Sequence, residues 1–177
     1  MPSTLITVAP TGAETARADF PQLPTTLQEL VETAQRCEAA GAGLIHVHVR
    51  DPEAGHAPTL DPVHLRDTVQ ALREATDLVV QLSTGGSVRD PLEKRLTVLD
   101  AEPDSCSLTC GTVNFGDDVF LNPHGFMSDL YVRAQEQEVV TSGRSRTAAT
   151  RASVVPSMPP GTPITRSTWT RPPAGRP

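Results

Sequence analysis

About four times in its first 140 residues the chain repeats one pattern: a short apolar run, then a longer stretch with apolar residues at helical spacing. A run that is apolar on both sides of its pleat is a strand covered on both faces, and its alternation with helices is the pattern of βα units on a parallel sheet. The expected class is therefore α/β. The runs are Leu5 to Val8, Leu44 to Val49, Leu78 to Leu82 and Ser105 to Leu108. Between them, Thr26-Leu27-Gln28-Glu29 opens a helix as a capping box, with Leu27, Leu30, Val31, Ala34 and Cys37 as its apolar stripe. Gly41 and Gly43 are expected to supply its left-handed stop. Asp61 as cap and Pro62 in the first turn open a second helix. A short helix is expected over Pro91 to Leu99, and a fourth from Ser128 to Val139 with no strand after it.

The sequence turns sharply at Thr141. The last 37 residues hold seven prolines, seven threonines and six arginines but no Asp, Glu or Lys, so all 21 acidic residues precede Thr141. With Trp169 its only aromatic and no hydrophobic period, such a segment cannot bury enough surface to offset its ordering entropy. The expected organisation is a domain over 1–140 and a disordered tail over 141–177. Shifted reading of GC-rich coding DNA yields this composition, and a helix left without its strand points the same way, so the tail is expected to be out of frame.

Charge and cysteine usage narrow the function. A net charge of −6 with Lys94 as the single lysine gives no basic patch for phosphate backbones, which excludes a nucleic-acid binder. No apolar run reaches the roughly 20 residues of a membrane span, and no secretory leader is evident. A cytoplasmic protein is expected. Cys37, Cys106 and Cys110 are odd in number and form no Cys-x-x-Cys pair, so they are expected to be packed, reduced thiols.

The second strand carries the chemistry. Residues i and i+2 of a strand share a face, so His46 and His48 set two imidazoles side by side, about 7 Å apart at their Cα atoms. Two imidazoles on a strand otherwise made of Leu, Ile and Val are costly to bury without a shared partner, and neutral imidazole suits zinc. Glu14 follows the first strand, Ser83 and Thr84 the third, and Thr112 and Asn114 the fourth. In a barrel of parallel strands, residues at the strand C-termini converge on one site. Gly85, Gly86 and Gly111 would let backbone N–H groups approach an anion. Arg50 and Asp51 are expected to pair within their loop and orient the histidines, and His56, His64 and His124 to be structural or solvated.

The segments Ile6 to Glu14, Ala39 to Pro52 and Gly111 to Gly116, above all His46-Val47-His48-Val49-Arg50-Asp51-Pro52, resemble the β-keto acid cleavage enzyme family from about Leu5 to Val140. The resemblance implies a (β/α)₈ TIM barrel, of which about four βα units are present here, an incomplete barrel. It implies zinc held by His46, His48 and a glutamate from a late strand, and acetyl-CoA as co-substrate, giving acetoacetate and a new CoA thioester from a β-keto acid. It places Glu14 at the distal, often amino-bearing end of the substrate, with Ser83, Thr112 and Asn114 binding the keto acid. The family's late Arg-x-Gly-x-Glu-Asp motif has no counterpart here, so the third ligand and an acidic catalytic residue are expected to be missing, and the chain inactive alone. The full-length family is expected to form homo-oligomers. Two other readings stand beside this one: a metal-dependent hydrolase of the amidohydrolase kind, which also uses His-x-His on a barrel strand, and an inert barrel fragment.

Overall fold

The computed structural model describes residues 4–144. Five strands form one sheet: β1 (Thr7–Val8), β2 (Leu44–Val47), β5 (Val79–Leu82), β6 (Ser105–Thr109) and β9 (Val140–Arg144), in that order, every neighbouring pair parallel. Helices α1 (Leu27–Ala39), α2 (Pro62–Ala75) and α4 (His124–Glu136) lie in the crossovers, with a short α3 (Leu92–Leu96) running into a 3₁₀ turn (Thr97–Ala101). Two small antiparallel hairpins follow strands of the sheet. The pair β3 (Arg50–Asp51) and β4 (Ala57–Pro58) follows β2, and the pair β7 (Val113–Phe115) and β8 (Asp118–Phe120) follows β6.

Local chemistry sets the helix boundaries. Thr26 and Glu29 form a reciprocal capping box at α1, and Asp61 accepts from the amides of Val63 and His64 behind Pro62 at α2. Gly41, at φ +97°, turns the chain out of α1. Gly43 is not the left-handed stop expected of it, since its φ is not positive, and a Cβ there would meet only Cδ1 of the exposed Leu5 side chain.

The last unit differs from expectation. Helix α4 starts at His124, four residues before Ser128, and ends at Glu136, because Glu138 takes the left-handed conformation at φ 58°. The chain then enters β9, which pairs with β6 from Ser105 opposite Val140 to Thr109 opposite Arg144. The helix expected to lack a strand therefore has one, and the sheet takes up residues on both sides of the composition change at Thr141. Residues 145–177, with the expected disorder and out-of-frame origin of the tail, lie outside the described residues.

The two faces of the sheet differ above the layer in which Leu44 lies opposite Val79 on the inner side. Ile45 and Val47, Val80 and Leu82, and Cys106 and Leu108 face the helices. The first four join Leu30, Ala34, Leu65, Val69 and Leu72 in one apolar cluster, and the last two join Phe126, Met127, Leu130 and Ala134 in another. The opposite parity carries His46, Gln81, Ser105, Ser107 and Thr109. A sheet with helices on one side and polar side chains on the other is an arc of a (β/α)₈ barrel, and those polar residues are its interior.

Candidate metal centre and substrate cavity

At the C-terminal ends of the strands a cavity of about 510 Å³ opens over this polar face. Among the residues that line it are Glu14, His46, His48, Ser83, Ser107 and Asn114. Five of the residues expected to form the site are thus brought together from four separate βα units. Their arrival follows from register: His46 lies opposite Gln81 and Gln81 opposite Ser105, so the next positions of the same parity, His48, Ser83 and Ser107, form the layer above. Phe115 and Phe120 of the β7–β8 hairpin make an apolar wall.

The histidine rings stand edge to face, with centroids 5.2 Å apart. His46 is buried, and its Nδ1 lies 2.9 Å from Oε1 of Gln81. The Gln81 amide also bonds to Oγ of Ser105 at 2.8 Å, so the three side chains form one buried row. The backbone N–H of His48 donates to Oγ1 of Thr11 at 2.9 Å, holding β2 against the loop that carries Glu14.

Thr84 and Thr112 do not line the cavity. Thr84 is next to Ser83 and so points the other way, donating to the carbonyl of Ser107 at 2.6 Å. The Thr112 hydroxyl accepts from the amide of Asn122 at 2.9 Å and braces the hairpin. The glycine amides are engaged as well, Gly85 N–H by Oγ of Ser83 and Gly111 N–H by Sδ of Met127. The expected Arg50–Asp51 ion pair does not form. Arg50 donates to the carbonyls of Gly12, Thr15 and His56, while Asp51 accepts from the amides of Glu53 and Ala54 and faces His64 at 3.7 Å. Burial lowers the affinity of Arg50 for its proton. The loops that Arg50 ties together are the ones that frame Glu14 and the β3–β4 hairpin. His56 is structural, its Nδ1 3.2 Å from the carbonyl of Thr25, and His124 opens α4 at the surface. Among the described residues Cys37, Cys106 and Cys110 form no disulfide, and burial pushes the Cys106 thiol up to about 12.

Three features of the site escaped the sequence reading. Gln81 and Ser105 support His46 from below, and a polar residue inside the run Val79 to Leu82, sharing parity with Ser83, was the available signal. Ser107 and Thr109 line the cavity, as the alternation Ser105-Cys106-Ser107-Leu108-Thr109 allowed. Arg95 gave no such signal. It is 2% exposed, lies 4.3 Å from the ring of Phe120 and 4.5 Å from that of Phe126, and donates to the carbonyls of Thr84 and Leu121 and to Oδ1 of Asn122. Burial brings its pKa down to about 10.

A parallel βα arc with a cavity at its strand C-termini has the layout in which barrel enzymes carry their sites. The chain belongs to the β-keto acid cleavage enzyme family, whose model matches residues 3–144. It is 38% identical over 124 residues to the 3-keto-5-aminohexanoate cleavage enzyme of Fusobacterium nucleatum, covering 69% of this chain and 45% of the relative. It is 40% identical to the enzyme of that name from Acetoanaerobium sticklandii, with the same coverage. It is also 37% identical over 120 residues to the 3-oxoadipate:acetyl-CoA acetyltransferase of Cupriavidus necator, covering 67% of this chain and 41% of the relative. The chain thus spans about half the length of the curated relatives it matches. Among solved structures it resembles the apo structure of ObcA, with a TM-score of 0.65 at 18% identity over 79% of this chain and 35% of that one, a likeness of fold alone.

Proposed function

We propose that the chain carries the metal-holding and substrate-binding part of a zinc-dependent, cytoplasmic β-keto acid cleavage enzyme, which converts a β-keto acid and acetyl-CoA to acetoacetate and a new acyl-CoA. The observation that carries this reading is the pair His46 and His48 at the cavity wall, with ring centroids 5.2 Å apart. Support for the substrate class comes from the relatives, whose names pair keto acids with cleavage or with acetyl-CoA transfer.

Among the described residues the donor set is incomplete for zinc. Two neutral imidazoles on one strand face are borderline ligands of the type zinc takes, and among the described residues no group of three His, Cys, Asp or Glu could hold a metal. The sequence beyond Val140 contains no carboxylate to serve as a third donor or as the acidic catalytic group. When bound, zinc would polarise the β-keto oxygen and stabilise negative charge developing there.

The chain's own residues do the binding and orienting. The Ser83 hydroxyl and the Asn114 amide offer hydrogen bonds to a keto acid in the cavity. Glu14 sets a negative charge at its rim, matched to a substrate with a cationic distal end. Phe115 and Phe120 exclude water from one wall, strengthening those contacts. Helices among the described residues are too short and too polar to cross a membrane.

Zinc titration of the purified chain, followed by chelator competition, tests the reading. The expected result is one zinc per chain, lost to mild chelators, with binding abolished in both His46→Ala and His48→Ala. Zinc uptake that neither substitution alters would overturn it. With acetyl-CoA and a β-keto acid supplied, the 177-residue chain is expected to form no thioester, because it lacks the acidic catalytic group.

A further inference from the structure

Among the described residues that line the cavity there is no Lys or Arg, and Glu14 is the one carboxylate. A keto acid brings a carboxylate of its own, so direct contact gives it no cationic side chain to meet. A positive charge stands behind the wall instead. Phe120 lines the cavity, and Cζ of Arg95 lies 4.3 Å from the centre of its ring, although Arg95 itself does not reach the cavity. Arg95 also donates to the carbonyl of Thr84, which lies between the lining residues Ser83 and Gly85. The guanidinium is therefore one layer of side chains away. It is buried, so dissolved salt screens it little. Its acceptors, the carbonyls of Thr84 and Leu121 and Oδ1 of Asn122, are all neutral. The charge of Asp90 acts on it from farther off, and that carboxylate is already 3.6 Å from Nζ of Lys94. One net positive charge is left beside the cavity.

We propose that Arg95 is a specificity-determining residue that makes the cavity prefer an anionic ligand over a neutral one of the same shape, acting through the Phe120 wall. The class of ligand rests on the keto-acid reading; the preference for negative charge does not. Burying a full charge among neutral partners carries a desolvation cost that an apolar side chain of similar length avoids. The rings of Phe120 and Phe126 and three oxygens hold the guanidinium in place without cancelling its charge. In surroundings of low polarity its attraction reaches farther than it would in water. A carboxylate in the cavity gains that attraction without touching the arginine. Glu14 works in the opposite sense by repelling an anion, so the observed preference is what Arg95 adds against it.

The test uses the full 177-residue chain, free of metal, and two pairs of ligands matched in shape. Acetoacetate and pentane-2,4-dione both carry a β-keto group and differ in charge, whereas butyrate and pentan-2-one differ in charge and lack that group. Affinities are read by NMR titration at about pH 7, where both acids are ionised. Wild type is expected to bind each anion about 5–30-fold more tightly than its neutral partner. That ratio should persist in about 0.5 M salt, because the charge is buried. Arg95→Met should bring both ratios close to one, and Arg95→Lys should keep most of the preference. Equal weakening of all four ligands by Arg95→Met would mean that the arginine only holds the wall, and it overturns the proposal, as does a wild type without preference. If Arg95→Met does not fold, Asn122→Asp decides: it sets a carboxylate on the same guanidinium and should lower both ratios, and unchanged ratios overturn the proposal. Acetoacetate bound no more tightly than butyrate refutes the keto-acid reading, while the charge ratios still decide the role of Arg95.

Discussion

At the scale of single residues, Arg95 is the costliest side chain to remove. Its guanidinium is sandwiched by Phe120 and Phe126 and bonded to Thr84, Leu121 and Asn122, so it joins the loop after β5 to the hairpin that walls the cavity. Arg95→Met keeps much of the volume but strands two buried acceptors, the Thr84 carbonyl and Oδ1 of Asn122, each worth about 1–3 kcal/mol when unsatisfied. The expected loss is about 3 kcal/mol or more, seen as a lower urea midpoint. His46, His48 and Ser83 were legible in the sequence because strand parity alone sends them to one face. Thr84 shows the limit of that rule, since a polar residue next to a site residue has the opposite parity. Arg95 was invisible, because a charged residue in the polar stretch Leu92-Glu93-Lys94-Arg95-Leu96 reads as a solvated helix face until the hairpin folds over it.

Among the elements, α1 is held at its start by charge as well as by hydrogen bonds. The Arg17 guanidinium, 2.5 Å from Glu29, and the amides of Thr25 and Thr26 hold the Glu29 carboxyl at a pKa of about 2, against an ordinary value of 4.5. A carboxyl whose folded pKa is depressed contributes stability above its unfolded pKa and loses it as pH falls through the folded one. Glu29 therefore contributes fully above about pH 4.5 and progressively less towards about pH 2. Because the pair is exposed to solvent, the contribution is small and screened by salt. Glu29→Gln should flatten this acid limb of the stability curve, checked by urea unfolding at about pH 6 and about pH 3. Thr26→Ala should cost about 1 kcal/mol at neutral pH, measured the same way. Both caps were readable from sequence, since their residues act over three positions. The end of α4 was not, because Glu138 takes a left-handed conformation that glycine usually supplies, and without a glycine the helical pattern ran on to Val139. Glu138→Gly should raise stability by about 0.5–1 kcal/mol, as the steric cost of that conformation disappears.

For the molecule as a whole, the described sheet has two outer strands, β1 and β9, each hydrogen-bonded on one side. Ile6, beside β1, is 51% exposed. An open apolar edge favours association between copies, so sedimentation velocity should show a concentration-dependent shift that Ile6→Lys reduces. The α/β class was legible because buried parallel strands and amphipathic helices follow different periods, whereas the barrel was legible only through the family resemblance. The fifth strand was not legible, because Val140-Thr141-Ser142-Gly143-Arg144 has no apolar run and becomes a strand only by pairing with β6. The division of the upper sheet into an apolar and a polar face has one more consequence. A strand that slipped by one position would push His46 and His48 under the helices and turn Ile45 and Val47 into the cavity. The same error would spoil the cavity and the packing together, so a misthreaded molecule forfeits its fold along with its pocket.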